Sequence, residues 1–434
     1  MLRELNAADL ESLTAWLKSR TQTISGDIYK AAADIIDQVR QTGDQALRDL
    51  ALKFDHRSIR TLKLTQEQID ELASQADPAF VQALQGARDN ILAFHQAQKT
   101  NSFILTRDNG VYLGQRVLPL DAVGIYVPGG RAQYPSSVLM NAIPAKVAGV
   151  KRIVMMTPPA ENGLIEPAIA CAAKLAGVTE IYVTGGAQAI AAMAYGTETI
   201  TPVDKIVGPG NAFVAAAKKL VFGTVDIDMI AGPSEILVIA DAGADPAWIA
   251  ADLLSQAEHD PLASAMLVTT EQTVIVQVNR ELVRQLETLP KKDIAAASLA
   301  DYGRSILCSS MEECLQVANR IAPEHLELMV ENPMNWLGQV RHAGSVFLGY
   351  STCESIGDYY GGTNHVLPTS GTAKFSSALG VDAFVKRSSF LHYSPEQLEQ
   401  DAEAIMTLAQ AEHLQAHANA AAIRVAADGQ KGGQ

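Results

Sequence analysis

Residues 255–260 read Ser-Gln-Ala-Glu-His-Asp and close a segment of helical spacing that begins near Pro246. Gln256 and His259 stand three apart, so a helix presents both on one face. A neutral amide and an imidazole aimed together can hold a borderline cation such as zinc. Two distant segments carry related chemistry. Residues 323–327 are Pro-Glu-His-Leu-Glu, and residues 357–365 run from Gly357 through Asp358 to His365. Together they predict a metal site assembled from separate parts of the chain, with an acid/base pair beside it.

The adjacent groups Glu324 and His325 divide acid and base work if their surroundings push their pKa values apart. As residues alone they read first as a solvated loop pair, with Pro323 fixing the local backbone. Asp358 reads as a carboxylate in a Gly/Tyr-rich loop, a good position for a ligand. His413 and His417 are four apart and would share a face of the last helix, which is also the spacing of two exposed histidines on a polar helix. No HExxH or zinc-finger spacing occurs. His56, His95, His342 and His392 read as surface or hydrogen-bonded residues.

The elements that must position these groups follow from periodicity. Residues 28–42 and 79–98 have apolar residues at helical spacing. From about residue 111, short β-branched runs (123–127, 152–156, 181–184, 205–207) alternate with helical stretches (136–148, 164–176, 187–195). A second block repeats the alternation, with strands at 235–240, 265–269, 305–308 and 345–348 and helices at 248–258, 271–286 and 311–321. Such alternation predicts βαβ units and parallel sheets covered on both faces. Residues 395–425 read as one or two helices with few large apolar anchors, a pattern suited to packing on another chain. Glycine loops at 126–130, 184–188 and 208–212 fall where strands meet helices, where open α/β sheets bind ligands. None fits G-x-G-x-x-G. Three in one block point to a nucleotide-like ligand.

The chain has 434 residues, enough for two or three domains. A net charge of −14 argues against a nucleic-acid surface. The 4 cysteines form no CxxC pair, which suits a reduced, cytoplasmic compartment. The first residues lack a signal peptide's apolar core, and no apolar run is long enough to span a membrane.

In order along the chain stand Val-Pro-Gly-Gly at 127–130, Gly-Gly-Ala-Gln-Ala-Ile at 185–190, Val-Gly-Pro-Gly-Asn-Ala-Phe at 207–213 and Ala-Gly-Pro-Ser-Glu at 231–235. Asp-Leu-Leu-Ser-Gln-Ala-Glu-His-Asp at 252–260, Pro-Glu-His-Leu-Glu at 323–327 and Gly-Gly-Thr-Asn-His-Val-Leu-Pro-Thr at 361–369 continue the series. With these blocks the sequence resembles the histidinol dehydrogenase family. The resemblance implies two incomplete Rossmann-like α/β domains with helical N- and C-terminal extensions, in an aldehyde-dehydrogenase-like architecture. Residues 126–235 would form the NAD-binding domain, and 25–125 with 236–380 the main domain. Residues 1–24 would be a helical extension packed with 381–394. Residues 395–434 would be a tail that reaches the active site of a homodimer partner.

The family oxidises L-histidinol to L-histidine through bound histidinal, with two NAD reduced. The resemblance implies one zinc per subunit on Gln256, His259, Asp358 and His417. Ser234, His325, Asp358 and Glu412 would complete the substrate pocket, while Tyr126, Gln188 and Asn211 would contact NAD. His325 would act as base in both oxidations, and Glu324 would activate water to hydrate the aldehyde. Glu412 and His417 lie five apart, about 140° around an ideal helix, so His413 would share His417's face more naturally. The family pattern favours Glu412 and His417. Cys353 is the one thiol close to these residues, and the family pattern assigns it no role. Two rival readings are a zinc/NAD dehydrogenase of another amino alcohol and a zinc hydrolase on an α/β scaffold. A binding protein that kept the fold is disfavoured by the intact acid/base pair and ligand positions.

Overall fold

The computed structural model describes residues 1–6, 12, 16, 25–129 and 133–429. The chain opens with strand β1 (Arg3–Asn6), then helices α1 (Gly26–Phe54), α2 (Gln66–Ser74) and α3 (Pro78–Gln96). The starts of the three are capped by the side chains of Ser25, Thr65 and Asp77. Strands β2 (Phe103–Arg107) and β3 (Val111–Pro119) follow and belong to a separate unit.

The first parallel sheet is built from β4 (Ala122–Tyr126), β5 (Arg152–Thr157), β6 (Glu180–Val183), β7 (Lys205–Val207) and β8 (Asp226–Ile227). Helices α4 (Pro135–Ala148), α5 (Pro167–Ala176), α6 (Gly186–Tyr195) and α7 (Ala212–Val221) connect them. The order across the sheet is β6-β5-β4-β7-β8. Counted from β4 this is the doubly wound order without its sixth strand, and the winding reverses between β4 and β7. One face is covered by α1, α6 and α7, the other by α2 to α5. The N-terminal helices therefore cover the five-stranded sheet, whereas the sequence reading grouped residues 25–125 with 236–380. The apolar faces of α1 to α3 fit whichever sheet face is bare, and periodicity alone does not choose it.

The second sheet comprises β9 (Glu235–Ala240), β10 (Ser264–Thr269), β11 (Arg304–Leu307), β12 (His325–Met329) and β13 (Ser345–Leu348). Between them run α8 (Pro246–Ala257), α9 (Gln272–Leu286), α10 (Lys292–Asp301), α11 (Met311–Ile321) and α12 (Met334–Leu337), and α13 (Glu354–Tyr359) follows β13. The order is β1-β11-β10-β9-β12-β13, all parallel. It repeats the winding of the first sheet, with β1 added at one edge. Residues 236–240 are fully buried, as a strand covered on both faces must be.

Two expectations are corrected here. Residues 3–6 are a strand in register with β11, not part of a helix, because their backbone completes the edge of that sheet. Within 7–24, residues 12 and 16 are described and helical, with the Arg304 guanidinium 5.4 Å over the Trp16 ring; the rest of the expected helix lies outside the described residues. β12 was not among the predicted strands, and its first residue, His325, was read with Glu324 as a solvated loop pair, although the strand lies inside the sheet between β9 and β13.

The second unit holds β2, β3 and β14 (Val385–His392), an antiparallel sheet of order β14-β3-β2. Residues 385–392 of the segment expected to pack with the N-terminus thus pair with β3. Helices α14 (Pro395–Ala411) and α15 (Gln415–Gly429) pack on each other. His413 breaks the chain between them with φ +59°. Glu412 and His417 are not on one helix, so the 140° argument does not apply, and neither does a face shared by His413 and His417. No helix among the described residues is long and apolar enough to cross a membrane.

Candidate active site

Two groups of residues gather at the ends of the two sheets. At the carboxyl ends of the first sheet, Tyr126, Gln188 and Asn211 line one cavity of about 630 Å³, together with Pro128, Gly129 and Pro158. That size suits a small-molecule cofactor site. The Gly186 amide donates to the Tyr126 hydroxyl at 3.0 Å, and burial pushes the phenol up to about 12. Gly186 has φ +68°, and Gly208 has φ +112° with the Tyr126 carbonyl oxygen 2.2 Å from where a Cβ would lie. Both positions therefore require glycine. The Asn211 side-chain oxygen caps α7 by accepting from Phe213 and Val214, leaving its amide Nδ2 as a donor. The helix start at Gly186 has no cap from its own N-cap side chain, and its first amide is taken by the Tyr126 hydroxyl. Gly130 of the first loop lies outside the described residues.

The second group sits at the amino ends of β9 and β12, opposite to the end that α/β sheets ordinarily use. Pro323 and Glu324 lead into β12, where the Gly344 amide donates to the Pro323 carbonyl at 3.0 Å and Ser345 to the Glu324 carbonyl at 2.9 Å. Glu324 and His325 are 7 % and 3 % exposed, which overturns the solvated-loop reading. The Glu235 amide donates to Glu324 Oε2 at 2.9 Å. His325 Nδ1 lies 2.9 Å from the Glu235 carbonyl oxygen, which can only accept. Nδ1 therefore carries the proton, and Nε2 presents the lone pair of the neutral ring. Nε2 is buried without a hydrogen-bond partner, 3.7 Å from Asp358 Oδ1.

Burial pushes Glu324 up to about 8, against the charge of His325. Burial also works to lower His325, but the carboxylates of Glu324 and Asp358 outweigh it and raise the imidazole to about 10. Burial opposes the charge of Asp358 as well, yet the His325 and His365 rings hold it below the ordinary carboxylate range.

Asp358 lies in α13, not in a loop. It is one turn after the buried Glu354, and the two share a face. Donor atoms of His325, Glu354 and Asp358 lie within 4.8 Å of one another, a geometry able to hold a cation. Burial, then the charge of Asp358, pushes Glu354 up to about 8. The Ser255 hydroxyl donates to Glu354 at 3.0 Å, tying α13 to α8.

Gln256 is buried on α8, and its Nε2 has no hydrogen-bond partner. The two ends of an amide are nearly isosteric, so that position suits its oxygen equally. His259 stands just past α8 with an accessible ring. The protein mass beneath it lowers its pKa, opposed by the nearby charge of Asp358. Ser234 precedes Glu235, and its carbonyl accepts from Ser264. Gln256, His259, His325 and Asp358 thus belong to one region. Glu412 and His417 belong to the second unit, where both are exposed. Burial raises the Cys353 thiol, the wrong direction for a nucleophile.

Four supporting residues went without a role in the sequence reading. His365 donates from Nδ1 to the Asp358 carbonyl at 3.0 Å, and its Nε2 lies 3.3 Å from the Ser137 hydroxyl. Glu327 accepts from the Glu354 amide at 2.8 Å. Asp252 sits one turn before Gln256; burial raises it to about 6, and it faces Glu327. Glu354 is the fourth. The i,i+4 spacings 252/256 and 354/358 were the available signals.

A family model described as "Histidinol dehydrogenase" matches residues 18–425. The histidinol dehydrogenase of Listeria monocytogenes serovar 1/2a is 56% identical over 390 residues, 90% of this chain and 91% of that one. That of Clostridium acetobutylicum is 52% identical over 408 residues, 94% of this chain and 95% of that one. The crystal structure of histidinol dehydrogenase from Elizabethkingia anophelis superposes with a TM-score of 0.93 at 40% identity, covering 98% of each chain.

Proposed function

The chain belongs to the histidinol dehydrogenase family, and from that premise we propose that it oxidises L-histidinol to L-histidine through bound L-histidinal, with two NAD and one zinc per subunit. The observation that carries the reading is the fixed tautomer of His325 beside a buried Glu324. The reaction needs a base that works twice and a second one that activates water, and these two groups supply them.

In the first oxidation His325 Nε2 takes the hydroxyl proton, and the Asp358 carboxylate stabilises the resulting imidazolium. Glu324 then takes a proton from the water that adds to the aldehyde carbon. His325 takes the diol proton in the second oxidation. NAD, when bound, accepts the hydride lost from carbon in each oxidation. Tyr126, Gln188 and Asn211 position it at the carboxyl ends of the first sheet, so residues 126–235 supply most of the cofactor domain. The shared cavity and the glycine positions support this.

The zinc shell is Gln256, His259, Asp358 and the partner subunit's His417. Zinc held there would supply a Lewis acid able to orient a substrate that carries imidazole and amine nitrogen donors. The unpartnered Gln256 amide and the buried carboxyls around Asp358 suit a cation. With such a cation present, these carboxylates no longer need His325 as their counter-ion, and Nε2 is left as a base. A second arrangement, with His325, Glu354 and Asp358 as ligands, is favoured by their donor spacing. It would occupy the nitrogen the chemistry needs.

Ser234 and the partner subunit's Glu412 complete the substrate pocket. A homodimer is supported by the apolar side chains that the second unit leaves exposed, including Phe103, Ile104, Leu408 and Ile423. A cytoplasmic enzyme suits the four free cysteines. Turnover of histidinol with NAD, and none of simple primary alcohols, is the expected result. Equal turnover of both would overturn the substrate assignment.

A further inference from the structure

Asp55 lines the same cavity as Tyr126, Gln188 and Asn211, yet it comes from the end of α1, far from the glycine loops in sequence. Its Oδ2 is buried without a hydrogen-bond partner. A buried, unpaired carboxylate oxygen is costly unless a donor reaches it. The helix end does not need this side chain. The Asp55 amide donates to the Ala51 carbonyl at 2.9 Å, and His56 turns the chain with φ +55°. Arg48 pins the following segment, donating to the carbonyls of Ile59 at 2.7 Å and Arg60 at 3.0 Å. Oδ2 is thus held in place without a hydrogen-bond partner, with the charges of neighbouring His56 and Arg57 acting on the carboxylate.

We propose that Asp55 accepts the hydroxyls of a ribose in the bound dinucleotide and thereby selects NAD over its 2′-phosphorylated counterpart. This rests on the NAD reading of the cavity. A carboxylate only accepts, so its complement must bring O–H or N–H donors, and a ribose diol brings two side by side. In doubly wound domains the ribose carboxylate ordinarily lies roughly 20 residues past the first glycine loop. The matching place in this fold is the end of the second strand, β5, at Thr157, where neither Thr157 nor the following Pro158 and Pro159 is an acid. Asp55 supplies the missing group from the helix that covers the sheet. The surroundings also disfavour an added phosphate. Asp55, Glu161 and Glu166 all line the cavity. Among the described lining residues the one cationic side chain, Arg57, lies 3.9 Å from Glu161.

The test compares wild type with Asp55→Asn, a near-isostere, for NAD, NADP and 2′-deoxy-NAD, by KM and by equilibrium binding. Losing a hydrogen bond to a charged group predicts about a tenfold to hundredfold rise in the NAD KM, while the KM for histidinol stays. Wild type should bind 2′-deoxy-NAD more weakly than NAD, and Asp55→Asn should not distinguish them. The NAD-to-NADP preference should fall in the variant. Wild type that binds NAD, with a variant that keeps both its affinity and its discrimination, overturns the role of Asp55 alone. Wild type that binds no dinucleotide overturns this role and the NAD reading together. If the variant melts early, the wild-type loss on 2′-deoxy-NAD and its retention in Asp55→Glu still decide the matter.

Discussion

The Nδ1 of His325 donates to the main-chain oxygen of Glu235 across the junction of two parallel strands. Because both strands begin there, the main-chain acceptor and the residue that carries the ring are both fixed by the sheet. Its other nitrogen is left buried, unpartnered and directed toward Asp358. A base in one tautomer needs such a support, and the same strand starts also hold Glu324 through the Glu235 amide.

Glu324→Gln keeps an oxygen for the Glu235 amide but cannot take a proton from water. Starting from histidinal, turnover should fall by about 100- to 10,000-fold. The alcohol half-reaction, followed as the first hydride transfer in a single turnover, should fall much less. Equal losses would remove the proposed role.

Gln256→Ala and Glu354→Gln separate the two candidate zinc shells. Zinc per chain after dialysis should fall steeply in the first and little in the second, because the proposed shell uses Gln256 as a ligand and leaves Glu354 hydrogen-bonded to Ser255. The reverse ranking would favour the His325, Glu354 and Asp358 cluster.

The stability of the metal-free protein should depend on pH in a set direction. Glu324 and Glu354 sit at about 8 in the folded chain, and His325 at about 10, all above their ordinary values. These three groups therefore bind more protons in the folded than in the unfolded state from about pH 4.5 to 10, and the stability they contribute falls as pH rises through that window, outweighing His95, His259 and His365, which are shifted the other way. Zinc should flatten the dependence, since the cation replaces the bound protons. Melting temperatures across that range, with and without zinc, check both parts; a metal-free melting temperature that rises from pH 5 to 8 would contradict the burial argument.

Truncation after Ala411 removes Glu412 and His417 and should abolish turnover. Mixing that chain with Glu324→Gln chains under subunit exchange should restore activity, because each supplies what the other lacks at one shared site. Failure to recover activity from mixed dimers, or full activity in the truncated chain, would show that the site is not shared.

The runs at 152–156 and 205–207 were legible because, after the Arg152 and Lys205 that start them, they are apolar, as strands covered on both faces must be. β12 was not, because His325 and Glu327 interrupt what would be an apolar run in a central strand. The rule fails where the chemistry is placed, as expected at a site that carries buried charge. Asp358 read as loop because the Gly/Tyr-rich sequence around it hides a six-residue helix. The turn at His413 was hidden as well, since a non-glycine residue with positive φ leaves no mark in periodicity. Asp55 lay beyond sequence reasoning altogether, because its place in the cavity with Tyr126, Gln188 and Asn211 depends on which sheet α1 covers.

The most direct test is the stoichiometry of the complete reaction. With limiting L-histidinol and excess NAD, the account predicts two NADH per histidinol, lost on chelation and restored by zinc. One NADH per histidinol with free aldehyde, or turnover indifferent to chelation, would contradict it.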